Sequence, residues 1–446
     1  MYSFKENIPV GDFEEFVSHS SFAPIQQTKA WAELKNNWEH FFCGIYRDET
    51  LCGVCLILVR KILPTIKHAY APRGPILDFS DKEAVSAFRD GVFSFCKKHG
   101  ASSFMCDPEI PVAKTLPSLP EENYYDPVDV EKGRRDFENL VSAGFIHGGF
   151  GKDLHSALQP RYNAMIPLKK ADGTLLSFDE LKKNFKPSIR RYFGAFQTFR
   201  GLEFEHSDDV AGFKKILSNT EERQHISLRG ESYFSLMQKS FGDDFYIGIE
   251  YCDVKKYIAN LEEKLEKENT EKNADLLAEA KKVLDERGEK IPLAAALNIF
   301  PPNKDGVKVV EYLYGGSDLN VFPSFHAPRS VIAASCTAAA ERNADFLNLG
   351  GLAGTFDDGL YNFKERFSPI IVEFAGEFEL KINKGRYAFM KKCLPAMQKT
   401  YKKFIKLIKK EYYKKKQDTL GVSCFFAVRN YFEEIRTDAQ NIPSSV

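Results

Sequence analysis

Apolar residues recur along this chain at two periods, and their alternation sets the expected architecture. Val85, Phe88, Val92, Phe93 and Cys96 fall at helical spacing and predict a helix over 82–99. Residues 12–19 and 28–36 read as shorter helices, the second with Thr28 as N-cap and Trp31 and Leu34 on its buried face. Apolar runs at 41–46 and 51–60 flank the polar Asp48-Glu49 and predict a hairpin. An extended segment over 69–77 is broken by prolines, and a strand at 102–106 ends at Asp107-Pro108. Helices alternating with strands imply an α/β unit.

The second half repeats the theme. A basic helical stretch over 178–199 is interrupted by Pro187, followed by a strand at 202–206 and helices at 210–225 and 232–241. A strand pair at 294–300 and 307–314, a helix at 328–343 and a strand at 346–349 complete what reads as a duplicated unit. Between the halves, Val254, Ile258, Leu261 and Leu265, then Leu277, Ala280 and Leu284, recur at heptad-like spacing among Lys and Glu, separated by Asn269-Thr-Glu-Lys-Asn273. Two structures fit: an antiparallel helical hairpin with a narrow self-buried seam, or a solvated helical linker.

Length and composition narrow the class. A chain of 446 residues exceeds one ordinary core, and 43% hydrophobic with 28% charged residues is a globular balance. Lys plus Arg equals Asp plus Glu at 62 each, yet from Lys381 to Lys416 the only acid is Glu411. In that stretch Tyr401, Phe404, Ile405, Ile408 and Tyr412 form a helical stripe flanked by lysines. It can pack on the body, lie on an anionic membrane or hold RNA phosphate. Nine scattered cysteines lack the spacing of a disulfide framework, Met1 to Glu6 carries no basic leader, and no apolar run approaches the ~20 residues of a membrane span. A cytoplasmic location follows, with any membrane contact peripheral, at the inner face, through 401–416.

Three segments carry more specific chemistry: Tyr70-Ala-Pro-Arg-Gly-Pro75; Glu222-Arg-Gln-His-Ile226 with Tyr233-Phe234 and Phe241-Gly-Asp-Asp244; and Leu349-Gly-Gly351 through Asn362-Phe-Lys-Glu-Arg-Phe367. Supporting pieces lie at Trp31-Ala-Glu-Leu-Lys35, Asp107-Pro-Glu109, Arg190-Arg191 ahead of Gly201-Leu-Glu-Phe204, and Tyr314-Gly-Gly-Ser317. In this order, over roughly 20–380, they resemble the Fem family of peptidoglycan bridge-forming transferases.

The resemblance implies an α/β (α+β) fold of two tandem GNAT-like acyltransferase domains with an inserted antiparallel helical hairpin arm. The expected ranges are 1–160 for the first domain, with 376–395 returning to it, 161–250 and 291–375 for the second, 251–290 for the arm and 396–446 for a basic tail. It also implies transfer of an amino acid from aminoacyl-tRNA to an amine on the stem peptide of a UDP-linked or lipid-linked muropeptide precursor. No cofactor or metal is expected, because the aminoacyl ester is already activated. Oligomeric state, the amino acid donated and the acceptor form stay open.

Matched positions give the expected site. The resemblance makes Lys364 the group that steadies the tetrahedral oxyanion, the alternative being a charged residue on an exposed element. Asp107 is expected to take the acceptor amine's proton, or else to close a turn before Pro108. Lys35 and Arg191 match positions that hold precursor phosphates, while Tyr314, Arg73 and Phe363 are further substrate-binding candidates. Gly350-Gly351-x-x-Gly354 reads as a flexible loop beside the cleft. Arg191-Tyr-Phe-Gly-Ala-Phe196 is the nearest approach to a coenzyme A cradle, and bulky Phe196 obstructs it. Two readings from other classes stand beside the transferase: a non-catalytic RNA- or membrane-binding adaptor, and an acyltransferase with another activated donor.

Overall fold

The computed structural model describes residues 1–63 and 66–389, so the basic stripe at 401–416 lies outside the described residues. The first half runs β1 (Tyr2–Lys5), α1 (Val10–Ser18), α2 (Lys29–Leu34), β2 (Glu39–Arg47), β3 (Thr50–Leu63), β4 (Ile66–Ala71), β5 (Ile76–Leu77), α3 (Lys82–His99), β6 (Ala101–Cys106), β7 (Pro111–Thr115), α4 (Val130–Ser142) and β8 (Ile146–His147). Local chemistry sets several of these ends. The Thr28 hydroxyl accepts the Trp31 N–H at 3.1 Å and opens α2. Asp81 accepts from Glu83 and Ala84 to open α3, and Gly100 at φ 72° closes it.

The second half runs β9 (Tyr162–Pro167), α5 (Phe178–Asn184), α6 (Pro187–Arg190), α7 (Ala195–Phe199), β10 (Leu202–Ser207), α8 (Val210–Gln224), α9 (Glu231–Phe241), β11 (Phe245–Asp253), α10 (Val254–Lys267), α11 (Glu271–Arg287), β12 (Lys290–Ile299), β13 (Val309–Ser317), α12 (Ala327–Glu341), β14 (Phe346–Leu352), α13 (Gly359–Lys364), β15 (Ile370–Phe374) and β16 (Phe378–Lys381). The stretch expected as one interrupted helix over 178–199 is three short helices. Pro187 starts α6, and Gly194 at φ 69° breaks the chain before α7.

These strands form two mixed sheets, giving the α/β class expected. The first has the order β1-β2-β3-β4-β6-β16-β8, with β5 on β3; the second has the order β10-β11-β12-β13-β14-β9-β15-β7. Each contains one parallel pair, β4 with β6 and β13 with β14. A parallel pair needs a crossover, and α3 and α12 supply it. The sheets also exchange strands: β7 pairs with β15 at the edge of the second sheet, and β16 lies between β6 and β8 in the first.

One apolar cluster joins the halves, with Phe13, Trp31 and Leu34 packed in the same core as Phe213, Phe234 and Leu297. Beside it, α10 and α11 pack together through Val254, Tyr257, Leu261 and Ala280 in a cluster shared with Phe322 and Phe325, so the arm is rooted in the second unit. Asn273 closes the turn between the two helices by donating to the Glu268 carbonyl at 2.9 Å.

Candidate active site

Helix α13 is short and is started by Asp358, whose carboxylate accepts the Tyr361 N–H at 2.7 Å. Its last residue, Lys364, is only 4% exposed, which excludes the reading of a surface charge. The ammonium donates to the Gly351 carbonyl at 2.8 Å. Burial lowers its proton affinity to a pKa of about 7, with Asp358 opposing the shift.

The acceptor of that bond comes from a bulge. The register of β14 against β9 shifts between Asn348 and Gly351, Gly350 sits at φ 76°, and the Asn348 side chain accepts the Gly350 N–H at 2.9 Å. A Cβ on Gly351 would meet Pro160 at 2.5 Å, and one on Gly354 would meet the Tyr162 ring at 2.4 Å. The expected flexible loop at 350–354 is therefore corrected. Gly350 and Gly351 are buried strand residues, the first suited to glycine by its positive φ and the second by the close approach of Pro160 and Leu154.

Asp107 lies at the end of β6 and is 1% exposed. One oxygen accepts the Tyr70 hydroxyl at 2.7 Å and the other the Arg73 N–H at 2.6 Å. Burial raises its carboxyl above the usual range, opposed by Arg73 and these two hydrogen bonds. Arg73 has φ 53°, an uncommon conformation for a residue with a side chain. Its guanidinium donates to the Pro160 carbonyl at 2.9 Å, pairs with Glu109 at 3.2 Å and lies 5.3 Å from the Phe374 ring centre. Gln27 holds the same turn by donating to the Pro72 carbonyl at 2.7 Å.

The segment leading into β9 links the two stations. Gln159 donates to the Tyr70 hydroxyl at 3.5 Å, while Pro160 receives Arg73 and packs against Gly351. Sequence reasoning missed a further group here. Glu311 pairs in register with Asn348, which donates to its two oxygens at 3.2 and 3.0 Å. Burial and then Glu109 push the Glu311 carboxyl up to about 8, against Asn348 and Arg73. Its signal was a lone acid in the apolar run Val309-Val-Glu-Tyr-Leu313.

Lys35 and Arg191, expected to act together, lie in different settings. Lys35 follows α2, with its ammonium 4.8 Å from the Trp31 ring centre and 5.6 Å from that of Tyr233. The second cation on Tyr233 is Arg229, 4.8 Å from the same ring centre. Tyr314 is 5% exposed and packs edge-on against Phe234 at 5.0 Å; burial raises its phenol, with the Arg229 charge opposing. Arg191 is exposed and donates to the Tyr192 hydroxyl at 2.9 Å. Arg229 escaped notice because it sits in the irregular segment between α8 and α9, where no periodicity marks it. Phe363 is half-buried and packs edge-on against Phe367 at 5.9 Å.

Among the described residues, no group of three His, Cys, Asp or Glu side chains could hold a metal ion, and no helix is long and apolar enough to cross a membrane. Seven cysteines there are free thiols. A FemAB family model matches residues 8–276 and 266–394. The chain is 24% identical over 423 residues to aminoacyltransferase FemA of Staphylococcus epidermidis, covering 85% of this chain and 96% of that protein. It is 23% identical to aminoacyltransferase FemA of Staphylococcus aureus, covering 86% and 96%. Among solved structures it is similar to FemX, with a TM-score of 0.71, 25% identity and coverage of 86% of this chain and 99% of that one.

Proposed function

Because the chain belongs to the FemAB family, we infer that it is an aminoacyltransferase that moves an amino acid from aminoacyl-tRNA onto an amine of a peptidoglycan precursor. The donor is an ester, so its acyl group arrives activated. The amine nitrogen attacks the ester carbonyl carbon, the carbonyl electron pair moves to oxygen, and collapse of the tetrahedral intermediate breaks the bond to the ribose oxygen. That oxygen then takes up the proton the amine loses. The protein's tasks are to align the two reactants and to steady the oxyanion.

The observation that carries this reading is the buried Lys364 ammonium. An ammonium has three N–H donors, and one is spent on Gly351. The others are free to meet an oxyanion formed beside the β14 bulge. A pKa of about 7 makes Lys364 a strong donor that can also relay a proton near neutrality. This chemistry disfavours a non-catalytic adaptor, for which a desolvated cation is only a cost.

On the precursor side, Lys35 and Arg229 flank Tyr233 and suit an anionic group such as a diphosphate, with Tyr314 forming the wall behind. Asp107 and Arg73 act in this reading by holding the 70–75 turn and tying it to Pro160. Both Asp107 oxygens already accept hydrogen bonds.

The test is incubation of the protein with a mixed pool of charged tRNAs and with both UDP-linked and lipid-linked precursors, followed by mass analysis. A mass increase of one aminoacyl residue on one acceptor is expected. No addition to either, with active controls, removes the reading.

A further inference from the structure

A second cationic site lies apart from Lys35 and Arg229. Arg191 follows α6, Arg200 follows α7, Arg329 lies in the first turn of α12, and Arg366 stands two residues beyond Lys364. Tyr192 gathers part of the group: its ring centre is 5.0 Å from the Arg191 guanidinium, 5.3 Å from that of Arg329 and 3.9 Å from the His326 ring. Arg329 and His326 Nδ1 are 2.6 Å apart. Arg200 lies 3.5 Å from the Phe196 ring centre and 5.4 Å from that of Phe325. Their mutual influence is visible in the His326 imidazole, depressed by burial and then by Arg329, Arg191 and Arg200, and in Arg329, depressed by burial and then by Arg366.

Guanidinium groups collected this way normally share a carboxylate. Here the hydrogen bonds of Arg191, Arg200, Arg329 and Arg366 run to a phenol, an imidazole and backbone carbonyls, and none of the four enters an ion pair among the described residues. Two nearby acids are engaged elsewhere. Glu365 pairs with Lys186, and Glu250 is buried beneath α12, where it accepts the Ser330 hydroxyl at 2.7 Å. Uncompensated like charge costs folding stability, and a polyanion with oxygens at spaced positions offsets it. Flat guanidinium groups held against aromatic faces are preset for two-point bonding to phosphate.

We propose that the Arg191, Arg200, Arg329 and Arg366 cluster seats the sugar-phosphate backbone of the tRNA acceptor end, directing the esterified terminus to Lys364. The proposal rests on the aminoacyltransferase reading and assigns its RNA contact to these residues. The position of Arg366 favours RNA over a free diphosphate, because an anion held there shares one short segment of chain with the lysine. It also separates the two anionic ligands, with the precursor at Lys35 and Arg229 and the nucleic acid here.

The test uses the full chain and a short RNA hairpin carrying the acceptor stem and its 3′ end. Its binding is measured by fluorescence anisotropy across a salt series, and UDP-linked precursor binding by calorimetry. Arg191→Glu with Arg329→Glu should weaken the RNA at least ~10-fold, lower the slope of log affinity against log salt by roughly 1–2, and leave precursor binding unchanged. Arg191→Lys with Arg329→Lys, which keeps charge, should restore most of the slope. Equal melting temperatures exclude misfolding as the cause. Unchanged RNA affinity and slope in the Glu variant overturn the proposal, and so does loss of precursor binding in place of RNA binding. Absence of aminoacyl transfer by the wild-type chain, with RNA binding still lost in the Glu variant, removes the enzyme reading and leaves the RNA site standing.

Discussion

The Lys364 ammonium donates to the carbonyl of Gly351 at 2.8 Å, joining the end of α13 to the bulge in β14. Lys364→Met keeps much of the side chain's length and removes the charge, so transfer should fall by on the order of 100-fold or more in single-turnover assays. Stability should respond differently. The folded pKa of about 7 lies below the ordinary 10.5, so the unfolded chain binds more protons between these values and wild-type stability rises with pH across that window. The Met variant should lack this rise. Melting curves at pH 6, 7.5 and 9 that shift in parallel for both proteins would contradict it.

Gly351→Ala places a methyl group against Pro160 Cβ, Pro160 Cγ and Leu154 at 2.5, 2.6 and 2.7 Å. The backbone must move, and with it the carbonyl that holds Lys364. Transfer should drop at least ~10-fold, and overpacking should cost roughly 1–3 kcal/mol in denaturant unfolding. Wild-type rates in a well-folded variant would show that the bulge does not position the lysine.

Glu311 carries the opposite pH signature. Its folded pKa of about 8 exceeds the ordinary 4.5, so the folded state binds more protons in that window and this group's stability contribution is lost as pH rises through it. Glu311→Gln mimics the protonated acid and should flatten the decline, leaving the variant relatively more stable at pH 8 than at pH 5. Identical stability profiles would mean the carboxyl ionises freely.

Lys35→Ala and Arg229→Ala should each raise the KM for the precursor about 10-fold, with little change in kcat. Both cations flank Tyr233, so they should couple, the double variant losing less than the product of the single effects. Strict independence would separate the two into different subsites.

Asp107→Asn separates positioning from proton transfer. The amide oxygen can still accept the Arg73 N–H, so a positioning role leaves transfer within about 10-fold of wild type. Loss of 100-fold or more, with the alkaline-rising limb of the pH profile removed, would restore the carboxylate as the base. Asp107→Ala should destabilise in either case, because a buried donor loses its partner.

Much of this protein was legible along the chain because local physics wrote it there. Helix α3 occupies the predicted range since its stripe, its Asp81 cap and its Gly100 stop are all local signals. Seam spacing marked two helices over 251–290 but fitted a hairpin or a solvated linker, and the packing of α10 on α11 decided for the hairpin. Lys364, Asp107 and Lys35 were singled out through motifs, whereas Arg229 and Glu311 were not, because their significance comes from neighbours distant in sequence.

The sequence by itself determined the alternation of helices and strands, the inserted arm and the family. Only the tertiary structure decided that β7 joins the second sheet, that the glycines at 350 and 351 form a bulge, and that Arg191, Arg200 and Arg329 converge around Tyr192 and His326. The physical reason is range. Propensity, capping and periodicity act over a few residues, while strand partners, desolvation and clustered charge depend on what the folded chain brings together.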